Sequence, residues 1–274
     1  VGGSLHLYGC TSLTSLPEGL KVGGDLYVEG SGVEDVESHP GAQGKIVSRT
    51  ANFEREKEFR EWLNSDDESR DEYDEVEVED DVTLHDGDKL KNLPKNLKVG
   101  GKLDLRDCKS LTSLPEGLKV GERLDLDRCS SLTSLPEGLK VGERLYLDGC
   151  TSLTSLPEGL EVGGWLDLEG CTSLTGLPEG LRVGGWLDLG GCTSLTSMGE
   201  GLEVGGNLWL GGCTSLSSLP EGLEVGESLD LEGCTSLTGL PKNLKVGGAL
   251  HVEGSGVADV KSHPGVKGRI VRSP

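Results

Sequence analysis

Aromatic side chains are scarce in this chain: four tryptophans, four tyrosines and two phenylalanines, 4% of all residues. A composition with 34% hydrophobic residues and 44 glycines fits poorly with one large packed interior. Long apolar runs are missing too. None approaches the roughly 18 residues of a membrane-spanning helix, and no signal-peptide pattern is visible. Basic residues are outnumbered, 26 Lys and Arg against 47 Asp and Glu, for a net charge of −21. That balance argues against nucleic acid and against anionic membranes, and favours cationic partners or bound divalent ions. Roughly half of the excess falls in residues 51 to 81. Catalytic patterns are absent as well. Of the five histidines, His6 and His251 sit on strands, His39 and His263 are paired in SHPG segments, and His85 stands apart. No glycine loop ends in Lys-Ser/Thr. Carboxylates follow a repeat, so their spacing does not mark a glycosidase pair. No enzyme activity and no cofactor are expected.

What is present is a repeat. Cys108, Cys129, Cys150, Cys171, Cys192, Cys213 and Cys234 recur every 21 residues, and Val78 through Val246 keep the same step. In VGGWLDL, Val162, Gly164, Leu166 and Leu168 share one face of an extended strand, while Gly163, Trp165, Asp167 and Glu169 point the other way. A single short strand cannot bury its apolar face alone, so successive units stack and pair in parallel, about 4.7–4.9 Å apart. LPEGL supplies the return: Pro157 stops the strand, Gly159 permits a tight bend, and Leu153, Leu156 and Leu160 point back inside. Such a chain is a solenoid, each coil touching only its neighbours.

The pattern Leu-x-Leu-x-x-Cys-x-x-Leu-x-x-Leu-Pro resembles a leucine-rich repeat, and its short LPEGL return is similar to the bacterial type found in secreted effectors. The resemblance covers about residues 78 to 260 and again about 1 to 36. It implies a curved parallel sheet of stacked short strands on the concave side, with turns on the convex side. Two departures stand out. The spacer VGGx precedes each Leu-x-Leu, and one copy reads SMGEGL, where Gly199 replaces the proline and predicts a looser return. No long catalytic domain follows the repeats, so the ubiquitin-ligase activity of some such effectors does not carry over.

A longer repetition sets the organisation. Residues 1–50 align without a gap on 225–274, and both copies close with EGSGV and SHPG before a final Ile-Val. Residues 1–50 therefore read as the end of a preceding module with its cap. Residues 51–77 read as a capping helix and acidic connector, 78–256 as the solenoid, and 257–274 as a C-terminal cap; across that boundary Val252, Val257 and Val260 continue the buried row. The chain reads as a piece of a longer tandem array, or as a unit whose leading half-module docks head-to-tail on a neighbour. In the connector, Phe59, Trp62 and Leu63 stand at helical spacing, with Thr50 or Asn52 as candidate caps. The cysteines share one rung position. They predict a column of buried thiols, each donating weakly to a turn carbonyl, rather than disulfides or a zinc site.

One surface breaks the monotony. Between the two leucines the outward position reads Asp104, Asp125, Tyr146, Asp167, Asp188, Trp209, Asp230, His251; the preceding one reads Lys102, Arg123, Arg144, Trp165, Trp186, Asn207, Ser228, Ala249. Tyr146, Trp165, Trp186 and Trp209 thus gather on consecutive rungs, flanked by Arg123 and Arg144. Exposed aromatics on a rigid face anchor interfaces, stack on sugars or clamp cations; alternatively they shield glycine-rich backbone. Asp167 and Asp188 on adjacent rungs call for compensation, from Arg123 and Arg144, from a cation or from a basic ligand. Calcium would take several carboxylates, but the Asp-x-Asp-x-Asp spacing of an EF-hand loop is missing, and a solvated acidic face is the expected reading. The expected function is a non-enzymatic scaffold that binds a protein, peptide or glycan through Tyr146, Trp165, Trp186, Trp209, Asp167, Asp188, Arg123 and Arg144. The alternative is an extended fibre or spacer of modules joined end to end.

Overall fold

A computed structural model describes residues 4–7, 15–16, 20–24, 26–28, 46–47, 50–53, 59–60, 63, 75–84 and 93–272. Cys10, His39, Trp62, His85 and the acidic stretch 64–74 lie outside the described residues. The chain is a parallel β-solenoid with a step of 21 residues per coil, and each coil contributes to two sheets rather than one. The expected continuous strand over VGGWLDL is broken at its glycines. Glu161–Val162 belongs to one ten-stranded sheet and Trp165–Asp167 to another. The first, the Val sheet, runs from Thr50–Phe53 through Glu75–Val78, Leu97–Val99 and Lys119–Val120 to Lys245–Val246. The second, the Leu-x-Leu sheet, runs from Val82–Thr83 through Leu103–Asp104, Arg123–Asp125, Arg144–Tyr146 and Leu187–Asp188 to Leu250–His251 and Ile270–Val271.

The break has a steric cause. A methyl group on the glycine after each corner valine, at Gly121, Gly142, Gly163 or Gly184, would run into the carbonyl oxygen of the equivalent glycine one rung earlier. Only glycine lets the corner backbones stack at rung spacing. Inside, the residues of one coil form a continuous row: Val162, Leu166, Leu168, Cys171, Leu174, Leu177 and Leu181 are all buried. The LPEGL returns turn as expected, with Gly159 at φ 69°. The SMGEGL copy is not looser, because Met198 is buried and Gly201 keeps φ 74° like its neighbours.

The ends follow the same logic. Ile270–Val271 pairs in parallel with Leu250–His251, and Val252 and Val257 are buried with Val260 packed against them. The SHPG segment is held by His263, whose Nε2 faces the Pro241 carbonyl at 3.0 Å while Nδ1 accepts the Gly265 N–H at 3.2 Å. A three-stranded sheet, Leu5–His6, Leu26–Tyr27 and Ile46–Val47, repeats this ending at the other end of the chain around its own cluster of Val22, Leu26 and Val28. Thr50 and Asn52 do not cap a helix; they lie in the strand Thr50–Phe53, paired with Glu75–Val78. Helical conformation is seen at residues 59–60 and 63, and Phe59 is fully buried in the main core with Leu63 against it.

Candidate functional site

The thiol column is structural. Cys150, Cys171, Cys192 and Cys213 are buried, and each sulfur lies 3.1–3.2 Å from the carbonyl oxygen of a leucine 24 residues earlier. The Cys171 Sγ–H, for example, donates to the Leu147 carbonyl at 3.2 Å, and the Cys171 N–H donates to the Leu168 carbonyl at 3.1 Å. Burial pushes the Cys150 and Cys192 thiols up to about 12. A thiol so held is neither nucleophile nor ligand near neutral pH. Among the described residues no group of three or more His, Cys, Asp or Glu is arranged to hold a metal ion. None of their helices is long and apolar enough to cross a membrane.

On the outward face of the Leu-x-Leu sheet the three predicted tryptophans meet, whereas Tyr146 carries the Arg123 guanidinium. Trp165 and Trp186 stack with ring centroids 4.6 Å apart and planes 2° from parallel. Trp209 stands nearly perpendicular to Trp186, at 5.4 Å and 77°. The Arg144 guanidinium lies 3.9 Å from the Trp165 ring centre, and that of Arg123 lies 4.6 Å from the Tyr146 ring centre. The ladder arises because parallel pairing puts Arg144 opposite Trp165 and Asp188 opposite Trp209, so each side chain leans on the next. Trp186 is 38% exposed, the one large hydrophobic residue that stands out from the described surface.

The rings also rest on backbone. A methyl on Gly185 would sit 2.6 Å from Trp165 Cδ1, and one on Gly206 would meet the edge of Trp186. The sequence respects this. Glu122, Glu143 and Glu227 take the same position only where the preceding rung carries Lys102, Arg123 or Asn207 instead of tryptophan. So part of the ring surface does shield glycine backbone, and part does not.

The acidic column is less uniform than its letters. Asp104 holds Arg106 through both oxygens, at 3.0, 3.1 and 2.7 Å. Asp125, 1% exposed, pairs with Arg123 and lies 3.6 Å from Arg106 Nε. Among the described residues, Asp167 and Asp188 each accept one hydrogen bond, from the N–H two residues on, of Glu169 at 3.0 Å and of Gly190 at 2.8 Å, closing the turn that ends each strand. Burial, aided by neighbouring acids, raises the Asp167 carboxyl and pushes Asp188 up to about 6. Asp127, which the sequence did not single out, rises to about 6 for the same reason. Arg123 and Arg144 do not compensate Asp167 and Asp188: one is paired with Asp125 and the other lies flat on Trp165.

Sequence reasoning missed a second surface. A groove of about 770 Å³ follows the glycine corner of the Val sheet, lined by Lys98, Lys119, Lys140, Glu161 and Arg182 among others. Its signal was the recurring Lys-Val, Glu-Val or Arg-Val before each corner glycine, hidden while that stretch was read as part of one strand. Lys98 is matched by Glu77 at 2.9 Å, and Arg182 by Glu203 beyond the groove at 3.2 Å. No aromatic residue is among its described lining. The chain matches no protein-family model and no curated protein. The fold and the chemistry of its faces therefore carry the functional argument.

Proposed function

We propose that this protein is a non-enzymatic interaction scaffold built from leucine-rich-repeat-type coils, binding a polypeptide through the outward face of its Leu-x-Leu sheet. The observation that supports this reading is the ladder Arg144–Trp165–Trp186–Trp209, confined to consecutive rungs of an otherwise polar face. Rigid, partly exposed tryptophan and arginine are the residue types that anchor protein interfaces. A glycan is the weaker candidate. Sugar stacking needs a free ring face, whereas one partner of Trp165 lies 3.9 Å away and another stacks at 4.6 Å. The edges of Trp165 remain, and Trp186 is 38% exposed; ring edges suit backbone carbonyls and ring faces suit cationic side chains of a polypeptide.

The test is peptide selection. Binders selected from a random library on the whole chain are measured against the variant carrying Trp165→Ala and Trp186→Ala, whose fold is checked by circular dichroism. Loss of two anchors is expected to weaken binding by about 100-fold or more, since single anchors contribute about 2 kcal/mol or more. Affinity unchanged by the double substitution would remove this face as the site. A second reading has its own support: the same closing arrangement occurs at Ile46–Val47 and at Ile270–Val271. Modules repeated this way suit an extended fibre or spacer, and open head-to-tail contacts would show as filaments in electron micrographs.

A further inference from the structure

Along one column of the Leu-x-Leu sheet, acids and their counter-ions change partners part-way. At Asp104 and Asp125 the cation is built in, as Arg106 and Arg123. At Asp167 and Asp188 the place of Arg123 is taken by Trp165 and Trp186, and the place of Arg106 by Glu169 and Gly190. Each of these two carboxylates has one oxygen on its own turn N–H and no cation among the described residues. The groups facing Asp188 are Asp167, Glu169 and Asp148; those facing Asp167 are Asp148 and Asp125. All are acids. Trp209 stands directly over Asp188 as its cross-strand partner, set 77° to Trp186, so two ring planes form a corner beside the carboxylates. At the next position outward a methyl on Gly211 would fit without a clash, in ordinary contact with the Glu232 carbonyl at 3.8 Å.

We propose that Trp186, Trp209, Asp167 and Asp188 form a recognition site for one cationic side chain, a guanidinium or alkylammonium, presented by a polypeptide partner. The inference rests on the reading that this face binds a polypeptide, and it supplies the chemistry of the contact. Aromatic rings attract an organic cation through their electron-rich faces, and a half-desolvated carboxylate pair adds charge-assisted hydrogen bonds. A bare divalent ion fits less well. Two carboxylates, each already accepting a backbone N–H, fall short of the six to eight oxygens that calcium takes. At the turn position that Gly190 takes after Asp188, the protein elsewhere sets its own Arg106 against Asp104 at 2.7 Å, so a guanidinium suits a carboxylate at this point of the turn.

Calorimetric titration of the whole chain with tetra-arginine amide, at near-neutral pH and physiological ionic strength, tests the site. The Asp167→Asn/Asp188→Asn variant is expected to bind about tenfold or more weakly, as is typical when a desolvated charged contact is lost. Trp186→Ala should weaken binding in the same direction. The control is Glu137→Gln/Glu158→Gln, which removes the same charge from the exposed return turns and should change affinity by no more than about twofold under screening salt. Affinity for tetra-arginine should also fall on acidification through the Asp188 titration at about 6. Equal losses in the two double variants would show that bulk charge attracts the peptide, and failure of the unaltered chain to bind it would equally overturn the site. Library binders that depend on Trp165 and Trp186 but carry no essential Arg or Lys would overturn the cation site while leaving the polypeptide-binding face intact.

Discussion

Gly185→Ala is a small change with a calculable consequence. The added methyl would lie 2.6 Å from Trp165 Cδ1 and 2.9 Å from the Gly164 carbonyl oxygen. Unstrained carbon–carbon contacts sit at about 3.5–4.0 Å, so relief of about 1 Å is needed. The ring is the softer neighbour, and shifting it disturbs both the 4.6 Å stack on Trp186 and the 3.9 Å contact with Arg144. The first contributes about 0.5–1.5 kcal/mol and the second about 0.5–1 kcal/mol. Gly185→Ala should therefore cost about 1–2.5 kcal/mol, within the usual range for overpacking. Trp165→Ala removes the atom the methyl strikes and leaves only the carbonyl contact. A double-mutant cycle by urea unfolding, with m-values checked for constancy, should then give a coupling of about 1 kcal/mol between the two sites. The near-ultraviolet circular dichroism of the stacked indoles should change in Gly185→Ala alone. Additive effects, within about 0.5 kcal/mol, would refute the account of why glycine follows tryptophan in this repeat.

Two further outcomes follow from burial. With their titration pushed up to about 12 and about 11, Cys192 and Cys234 should resist a thiol reagent at neutral pH in the native chain and react promptly once urea unfolds it; rapid native labelling would contradict the buried column. Asp127 and Asp188 titrate at about 6 in the fold, above the roughly 3.9 of an unfolded aspartate. Between those values these two groups bind more protons in the folded state than in the unfolded one, so their contribution to stability rises as pH falls from 7 towards 4. Asp188→Asn should therefore raise the melting temperature at neutral pH and remove part of its pH dependence over this window; a pH dependence unchanged by the substitution would refute the assignment.

Much of the solenoid is legible because its columns are written vertically. Val162, Leu166, Leu168 and Cys171 recur in phase, and all are buried. The division into two sheets was not legible for a physical reason. A two-residue alternation runs straight through Val162, Gly164 and Leu166, and glycine has no side chain to show that the chain turns between Val162 and Trp165. The missing clue was the constancy of Gly142, Gly163 and Gly184, which only a stacked carbonyl explains. Thr50 and Asn52 look like helix caps locally, yet pairing of Thr50–Phe53 with Glu75–Val78 overrides that preference. The aromatic cluster was legible because position within a repeat fixes position on a rung. Which arginine serves which acid was not, since a long side chain reaches its own rung or the next: Arg123 turns to Asp125, whereas Arg144 covers Trp165.

That ambiguity explains how a monotonous scaffold acquires a single distinctive patch. In a stack where every rung presents the same positions, a change at one position alters the environment of the rung on either side. Placing tryptophan at 165 demands glycine at 185 and occupies the guanidinium of Arg144. It also removes from Asp167 the intra-strand arginine that Asp125 enjoys in Arg123. Repeating the change at 186 demands glycine at 206 and leaves Asp188 in the same condition. Two substitutions in the repeat thus create, together, a ring stack, a strip of bare backbone beneath it and a pair of uncompensated carboxylates beside it. The glycine tolerance of the corner makes the rings possible, and the loss of arginine leaves Asp167 and Asp188 without a cation among the described residues. On the proposed reading, a partner's cation completes the surface just where the protein's own neutralising groups are withdrawn and its rings gather.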